Sequence, residues 1–266
     1  MSQASSRVRV GAVSYLNTTP LVWGMLHGPQ REEVELSFSV PSVCAEQIER
    51  QSIQLGLVPV AEIARQGLET VPGVGIGCIG PVRSILLFSR VPWTKVRTLA
   101  ADLGSRTSVQ LARVILRERY GADPVISPHQ PGLQEMLSSA DAALLIGDAA
   151  LRMNPERIPF ECLDLGAEWL ELTGLPMVFA AWAGKPGLPL ARLSDLTMNS
   201  YRFGKARLAQ IVEQEYSDRG ITKQLADQYL RTHIRFEIGP REKQGLEAFL
   251  ELAKRDYSKT GNRHIA

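Results

Sequence analysis

The chain has 266 residues, of which 44% are hydrophobic and 22% are charged, and its net charge at pH 7 is +2. This composition is typical of a soluble globular protein that is long enough for one large domain or two lobes. A nearly neutral charge argues against a nucleic-acid partner, because such binding normally requires clustered Lys and Arg. The sequence has no apolar stretch of about 18 residues, so we expect no membrane partner.

Neither a metal site nor a disulfide is expected. The three cysteines, Cys44, Cys78 and Cys162, are far apart and form no CxxC pair, and the four histidines are scattered. This pattern predicts free thiols in a reducing cytoplasm and no bound metal. The first residues lack the apolar core and cleavage site of a secretory signal, which also favours a cytoplasmic location.

The first predicted strand, residues 8–13, is followed by an unusually polar turn. Ser14-Tyr15-Leu16-Asn17-Thr18-Thr19-Pro20 leads from that strand into a short helix. In open α/β sheets, ligands lie at the carboxyl ends of strands, where this turn is expected. Ser14, Tyr15, Asn17 and Thr18 are therefore candidates for ligand contact, because they exceed what one helix cap requires. The alternative is a capped turn with a packed tyrosine.

A break at Gly80-Pro81 precedes an apolar strand over residues 82–89 that contains Arg83 and Ser84 near its start. Neighbouring residues of a strand point to opposite faces, so these two need not share a role. Arg83 either lies at an edge with its charge in water or pairs with an anion, and the two alternatives have equal weight.

The cluster Ser105-Arg106-Thr107-Ser108 opens an amphipathic helix predicted over about residues 107–119. Ser105 or Thr107 can cap this helix, whose first turn carries unpaired N–H groups and a partial positive charge. With the hydroxyls and the guanidinium, it forms a candidate site for a carboxylate or phosphate. An ordinary capped helix is the alternative, and the caps alone favour it.

A wholly apolar strand over residues 142–146 ends at Gly147-Asp148, where a helix begins. Asp148 is interpreted first as an N-cap, with a role in a ligand site as the lesser alternative. His129 lies in a loop between Pro128 and Pro131, and no partner for base catalysis is visible beside it.

Strands and helices alternate twice along the chain, which predicts an α/β protein with two lobes. The apolar strands at residues 85–89 and 178–183 bracket a middle block that contains the helix after Ser105. We expect residues 1–88 and 183–266 to form the first lobe and residues 89–182 an inserted second lobe. A hinge and an interlobe cleft follow from this arrangement, and such clefts commonly hold small ligands.

Five motifs, in a fixed order, carry a family resemblance. They are Ser14-Tyr15-Leu16-Asn17-Thr18-Thr19-Pro20-Leu21, Gly80-Pro81-Val82-Arg83-Ser84, Ser105-Arg106-Thr107-Ser108, Ala143-Leu144-Leu145-Ile146-Gly147-Asp148-Ala149 and Thr173-Gly174-Leu175-Pro176. Each motif alone is weak. Together, over about residues 8–250, they resemble the chorismate dehydratase family of the futalosine route to menaquinone. The resemblance implies a two-lobed fold like a type II periplasmic binding protein, used as a cytoplasmic enzyme.

The implied activity is that of a lyase that removes water from chorismate, a small dicarboxylate, to give 3-[(1-carboxyvinyl)oxy]benzoate. No cofactor is implied, because aromatisation of the ring drives the reaction. Our hypothesis makes Asn17 and Ser84 catalytic, with Asn17 orienting the leaving hydroxyl. The motifs contain no good general base, so a substrate carboxylate is the expected base. The expected substrate-binding residues are Ser14, Tyr15, Thr18, Arg83, Ser105, Arg106, Thr107, Ser108 and Asp148.

Other functions remain open at this point. A small-anion binding protein of the same fold is one, since fold does not settle function. The sister naphthoate synthase of the same pathway is another, although its catalysis would want a histidine in the cleft. A sensory ligand-binding domain is a third, and it would need an output module. A homodimer is left open for any of them.

Overall fold

The protein is built on two β-sheets flanked by helices. The computed structural model describes residues 7–102, 104 and 106–259, and within these ranges the chain forms eleven strands. In chain order they are β1 (Val8–Val13), β2 (Val34–Ser39), β3 (Leu55–Pro59), β4 (Glu69–Cys78), β5 (Ile85–Ser89), β6 (Thr98–Asp102), β7 (Val125–His129), β8 (Ala142–Ile146), β9 (Glu161–Asp164), β10 (Met177–Gly184) and β11 (Arg235–Ile238).

The strands divide into one sheet of six and one of five. The first sheet has the order β11-β4-β10-β3-β1-β2, and the second has the order β7-β6-β8-β5-β9. β1 runs parallel to β2 and β3, whereas β10 is antiparallel to both β3 and β4. In the second sheet, β6 is parallel to β7 and β8, and β5 is antiparallel to β8 and β9. The short apolar strands β3 and β8 are buried along their whole length, as their composition predicts.

The helices cover these sheets. They are α1 (Thr19–His27), α2 (Pro41–Glu49), α3 (Val60–Gln66), α4 (Arg106–Tyr120), α5 (Leu133–Ser139), α6 (Gly147–Leu151), α7 (Leu165–Thr173), α8 (Leu190–Lys205), α9 (Leu208–Glu215), α10 (Lys223–Gln228) and α11 (Pro240–Lys259). α8 and α9 are separate helices, because Arg207 between them leaves the helical region with φ −122° and ψ 21°. No helix in the described part of the chain is long and apolar enough to cross a membrane.

Two strands lie in a different sheet from the one that the expected lobe boundaries imply. The expected boundaries put residues 85–88 of β5 in the first lobe, but β5 pairs within the second sheet. Met177–Gly184 pairs within the first sheet, although the expected second lobe extends to residue 182. Both strands are apolar runs that fit either sheet, so composition does not distinguish them. The chain crosses between the sheets at residues 79–84 and 165–176. The division into two lobes as separate folding units stays a prediction.

An ion pair and a hydrogen bond between α3 and α4, called the clasp below, connect the part of the protein built on the first sheet with the part built on the second. The guanidinium of Arg106 at the start of α4 lies 2.8 Å from Oε1 of Glu62 in α3, and Thr107 Oγ1 accepts the backbone N–H of Ala61 at 3.2 Å. Only 3% of the Glu62 side chain is exposed. Burial alone would raise the pKa of the Glu62 carboxyl, but hydrogen bonds from Arg65 and Gln66 and the charge of Arg106 hold it below its usual range.

We expect Glu62→Gln to lower the free energy of unfolding at pH 7 by about 1–3 kcal/mol, because it removes a buried charge from its three partners. A carboxyl whose pKa is lowered in the folded state stabilises the protein above its unfolded pKa of about 4.3 and loses that effect as pH falls through the folded pKa. The difference between wild type and variant should therefore shrink at pH 3.5. Urea unfolding at both pH values measures it.

The exposed pair of Glu46 with Arg50, 3.9 Å apart, provides the matched control. Glu46→Gln should change the free energy of unfolding by less than about 0.5 kcal/mol. An equal loss for Glu62→Gln at pH 7 and pH 3.5 would show that the carboxylate charge is not what stabilises the clasp.

Candidate active site

A cleft lies between the two sheets. Its walls are largely apolar: β3, β4 and β10 of the first sheet contribute Leu57, Ile76 and Phe179, and β5 and β8 of the second contribute Ile85 and Ile146. Among the described residues, its polar lining is made of the predicted site residues Tyr15, Asn17, Thr18, Ser84 and Ser108. The structure thus brings residues from four of the five motifs to one cavity.

The turn after β1 supplies two buried polar side chains to this cleft. Asn17 and Thr18 lie in a single 3-10 turn, Leu16–Thr18, that continues directly into α1, and they are 8% and 1% exposed. Asn17 Oδ1 and Thr18 Oγ1 have no hydrogen-bond partner among the described residues. Unpaired buried polar atoms are costly. Their position at the cleft lining therefore fits atoms that a ligand would satisfy.

Tyr229 connects the two residues that the hypothesis made catalytic. Asn17 Nδ2 donates to the Tyr229 hydroxyl at 2.9 Å, and this hydroxyl donates to Ser84 Oγ at 2.8 Å. The Tyr229 side chain is buried, and burial raises the pKa of its phenol, which keeps its proton. Sequence reasoning missed Tyr229, because a tyrosine in an amphipathic helix has the same pattern as an ordinary core residue.

The Tyr15 side chain extends from the turn after β1, a strand of the first sheet, to glycines that follow β6 and β8 of the second sheet. A Cβ added at Gly147 would lie 2.8 Å from Tyr15 Cε1, and one added at Gly104 would lie 2.7 Å from the Tyr15 hydroxyl. Gly147 also has φ +57°, a conformation that favours glycine. Burial, followed by the charges of Asp102 and Asp148, raises the pKa of the Tyr15 phenol above its usual range.

Asp148 fixes the turn that carries these residues. One of its carboxylate oxygens accepts the Leu16 backbone N–H at 3.2 Å, and the other lies 2.6 Å from the Arg219 guanidinium. Arg219 also donates to the Ser14 carbonyl at 2.5 Å, while the residue Ser14 itself is exposed. The expected N-cap role of Asp148 is wrong, because Ile146 is the N-cap of α6. In this structure Asp148 and Ser14 support the turn from behind and do not line the cleft.

The two arginines that were expected to bind an anion are bonded to other groups of the protein. Arg83 has a left-handed backbone with φ +66°, and its guanidinium donates to the carbonyls of Ala150 and Met153 near the end of α6. Arg106 pairs with Glu62 in the clasp, where Thr107 also bonds. None of the three is among the residues that line the cleft. Ser105 lies outside the described residues.

The described lining of the cleft is therefore electrically neutral, with hydroxyl, phenol and amide groups as its polar atoms. Five helices begin at this lining. Thr18 and Pro59 are the N-caps of α1 and α3, and Pro41, Ser108 and Gly147 lie in the first turns of α2, α4 and α6. The starts of helices carry a partial positive charge, so this neutral cleft still favours an anion.

Known structures resemble this chain in fold. A protein of Archaeoglobus fulgidus superposes with a TM-score of 0.77 at 15% identity, covering 96% of this chain and 100% of that one. The periplasmic aliphatic sulphonate binding protein SsuA of Escherichia coli gives 0.64 at 14% identity, covering 95% and 87%. These likenesses confirm the predicted α/β fold of the periplasmic-binding-protein type.

Sequence comparison identifies the family. A protein called chorismate dehydratase from Thermus thermophilus is 30% identical over 203 residues, covering 70% of this chain and 74% of that protein. A second protein of the same name, from Campylobacter jejuni, is 24% identical over 249 residues, covering 92% and 96%. The model of a family described as menaquinone biosynthesis matches residues 8–255. The resemblance predicted from the five motifs is confirmed, and the chain belongs to this menaquinone biosynthesis family.

Proposed function

We propose that this chain is a chorismate dehydratase, a lyase that eliminates water from chorismate to give 3-[(1-carboxyvinyl)oxy]benzoate early in menaquinone biosynthesis by the futalosine route. The observation that carries the proposal is the buried, unpaired Asn17 Oδ1 at the lining of a neutral polar cleft. The two relatives named chorismate dehydratase support the same reaction.

The polar lining matches the hydrogen-bonding groups of chorismate. The only donor on the dianion is its ring hydroxyl, and Asn17 Oδ1 is an acceptor that lacks a partner among the described residues. Both carboxylates accept hydrogen bonds, and the hydroxyls of Thr18, Ser84 and Ser108 are donors at the same cleft. In this pose Asn17 holds the leaving hydroxyl, and the apolar walls enclose the ring.

The charge of the substrate is met by helix starts and neutral donors. Five helices begin at the cleft, and the start of a helix carries a partial positive charge. Such an arrangement stabilises carboxylates without an arginine beside the reacting ring. Arg83 and Arg106 then act on the protein scaffold, by holding the end of α6 and closing the clasp.

The substrate supplies the base in this mechanism. Tyr15 at the lining and Tyr229 behind it keep their protons, because their pKa values are raised, and the remaining polar groups of the described lining are a neutral amide and hydroxyls. The side-chain carboxylate takes the proton from the ring carbon that bears the enolpyruvyl ether, the electrons of that C–H bond form the new ring double bond, and the C–O bond to the neighbouring hydroxyl breaks. The carboxylic acid formed in this way passes the same proton to the departing oxygen, which leaves as water. Enclosure holds the two groups together. Rapid aromatisation of an analogue that lacks this carboxylate would contradict the role.

Incubation with chorismate tests the proposed function directly. We expect a product lighter by one water, followed by mass spectrometry and by the ultraviolet absorbance of the aromatic ring. Tight binding of chorismate without turnover would instead favour the small-anion binding protein. Neither binding nor turnover would overturn both.

Asn17→Ala should lower kcat about 100-fold, because the leaving hydroxyl would no longer be held in its reactive orientation. KM should change less, since the carboxylate donors remain. The exposed amide of Asn199 in α8 offers a matched control, and Asn199→Ala should leave both constants unchanged. Near wild-type kcat in Asn17→Ala, at an unchanged Tm, would remove Asn17 from the mechanism.

The cytoplasmic location and the homodimer stay predictions. Cell fractionation tests the location, and light scattering of the purified protein tests the oligomeric state. A monomer across micromolar concentrations would exclude the homodimer.

A further inference from the structure

The phenol of Tyr229 lies in the middle of a buried hydrogen-bond chain that runs from Asn17 to Ser84. Tyr229 itself belongs to none of the five sequence motifs. It is 1% exposed and contacts Asn17 Nδ2 at 2.9 Å and Ser84 Oγ at 2.8 Å. Tyr229 itself is not among the residues that line the cleft. It can therefore influence a bound ligand only through Asn17 and Ser84, which do line it.

The donor-to-acceptor direction of these hydrogen bonds decides which atoms Asn17 and Ser84 have left for a ligand. A phenol has one O–H donor, and here it points to Ser84 Oγ, while the phenol oxygen accepts from Asn17 Nδ2. Ser84 therefore receives a hydrogen bond from behind and keeps its own hydrogen to donate. Asn17 uses an amino hydrogen to bond the phenol, and its Oδ1, an acceptor, has no partner among the described residues.

The backbone around Tyr229 holds it in this position. Tyr229 begins a π-helical segment, Tyr229–His233, that follows α10. Such segments are rare and occur frequently at functional sites. At the far end of the segment, His233 Nδ1 lies 2.9 Å from the carbonyl of Pro81. Both ends of the segment thus contact residues 81–84, the crossing between the sheets that carries Ser84.

We propose that Tyr229 is a positioning residue that sets the hydrogen-bond polarity of the site, with Asn17 as an acceptor and Ser84 as a donor. This inference rests on the proposed function, because chorismate offers one hydroxyl donor and two carboxylate acceptors. Without the phenol, the Asn17 amide can rotate by half a turn and present its amino group. The Ser84 hydrogen can then turn away from the ligand.

A double-mutant cycle tests the proposal. Tyr229→Phe, which keeps the ring, should lower kcat for chorismate by about 10- to 100-fold with a smaller change in KM. In an Asn17→Ala background, the same Tyr229→Phe change should cost at most about threefold, because the group that it orients is gone. An undiminished loss in that background would show that Tyr229 only supports the fold, and would overturn the proposal.

Tyr201→Phe is the matched control. Its side chain is also buried, its hydroxyl bonds to Glu237 at 3.5 Å, and neither residue lines the cleft. It should leave kcat unchanged. Equal losses in both tyrosine variants would again indicate a general effect on the fold.

A second measurement does not depend on turnover. In ¹⁵N-labelled protein, the Asn17 side-chain amide protons should exchange with water at least about 10-fold faster in Tyr229→Phe than in wild type, with the signals assigned through Asn17→Ala. Unchanged exchange would contradict the bond from Asn17 to Tyr229. If wild type fails to convert chorismate, the proposed function falls, and this exchange measurement still decides the role of Tyr229.

Discussion

The hydrogen-bond chain from Asn17 through Tyr229 to Ser84 joins three distant parts of the polypeptide inside a buried region. Asn17 comes from the turn after the first strand, Ser84 from the crossing between the sheets, and Tyr229 from near the C-terminal end. Buried polar atoms need partners, so these segments have to meet in one arrangement. The polar face of the cleft depends on this constraint, since two of its lining side chains are held from behind by one phenol.

Charged side chains lie near the cleft, but they bond to the segments that form it and not to its lining. Asp148 and Arg219 hold the turn that carries Asn17, and Glu62 and Arg106 hold α3 against α4. A neutral lining between charged supports keeps fixed dipoles close to the ligand, and dipoles that are already oriented need no rearrangement during reaction. A neutral lining held in place by charged groups suits a reaction that is driven by aromatisation of the substrate.

Local patterns in the sequence predicted much of this structure, and contacts over long separations account for what they missed. The polar turn after β1 and the apolar strand at residues 142–146 lie where expected, because capping and alternation are local signals. Arg106 could not be assigned to Glu62, which lies 44 positions away. The left-handed backbone of Arg83 and the hydrogen bonds of Tyr229 also depend on tertiary packing, so their residue types gave no indication of them.

The most direct test of a neutral cleft as the binding site is a crystal structure with 3-[(1-carboxyvinyl)oxy]benzoate bound. The predicted result places its ring between the apolar walls, with carboxylate oxygens within hydrogen-bond distance of the hydroxyls of Thr18, Ser84 or Ser108. The guanidinium groups of Arg83 and Arg106 would keep their present partners. A carboxylate ion-paired with either arginine, or a ligand bound outside the cleft, would contradict it.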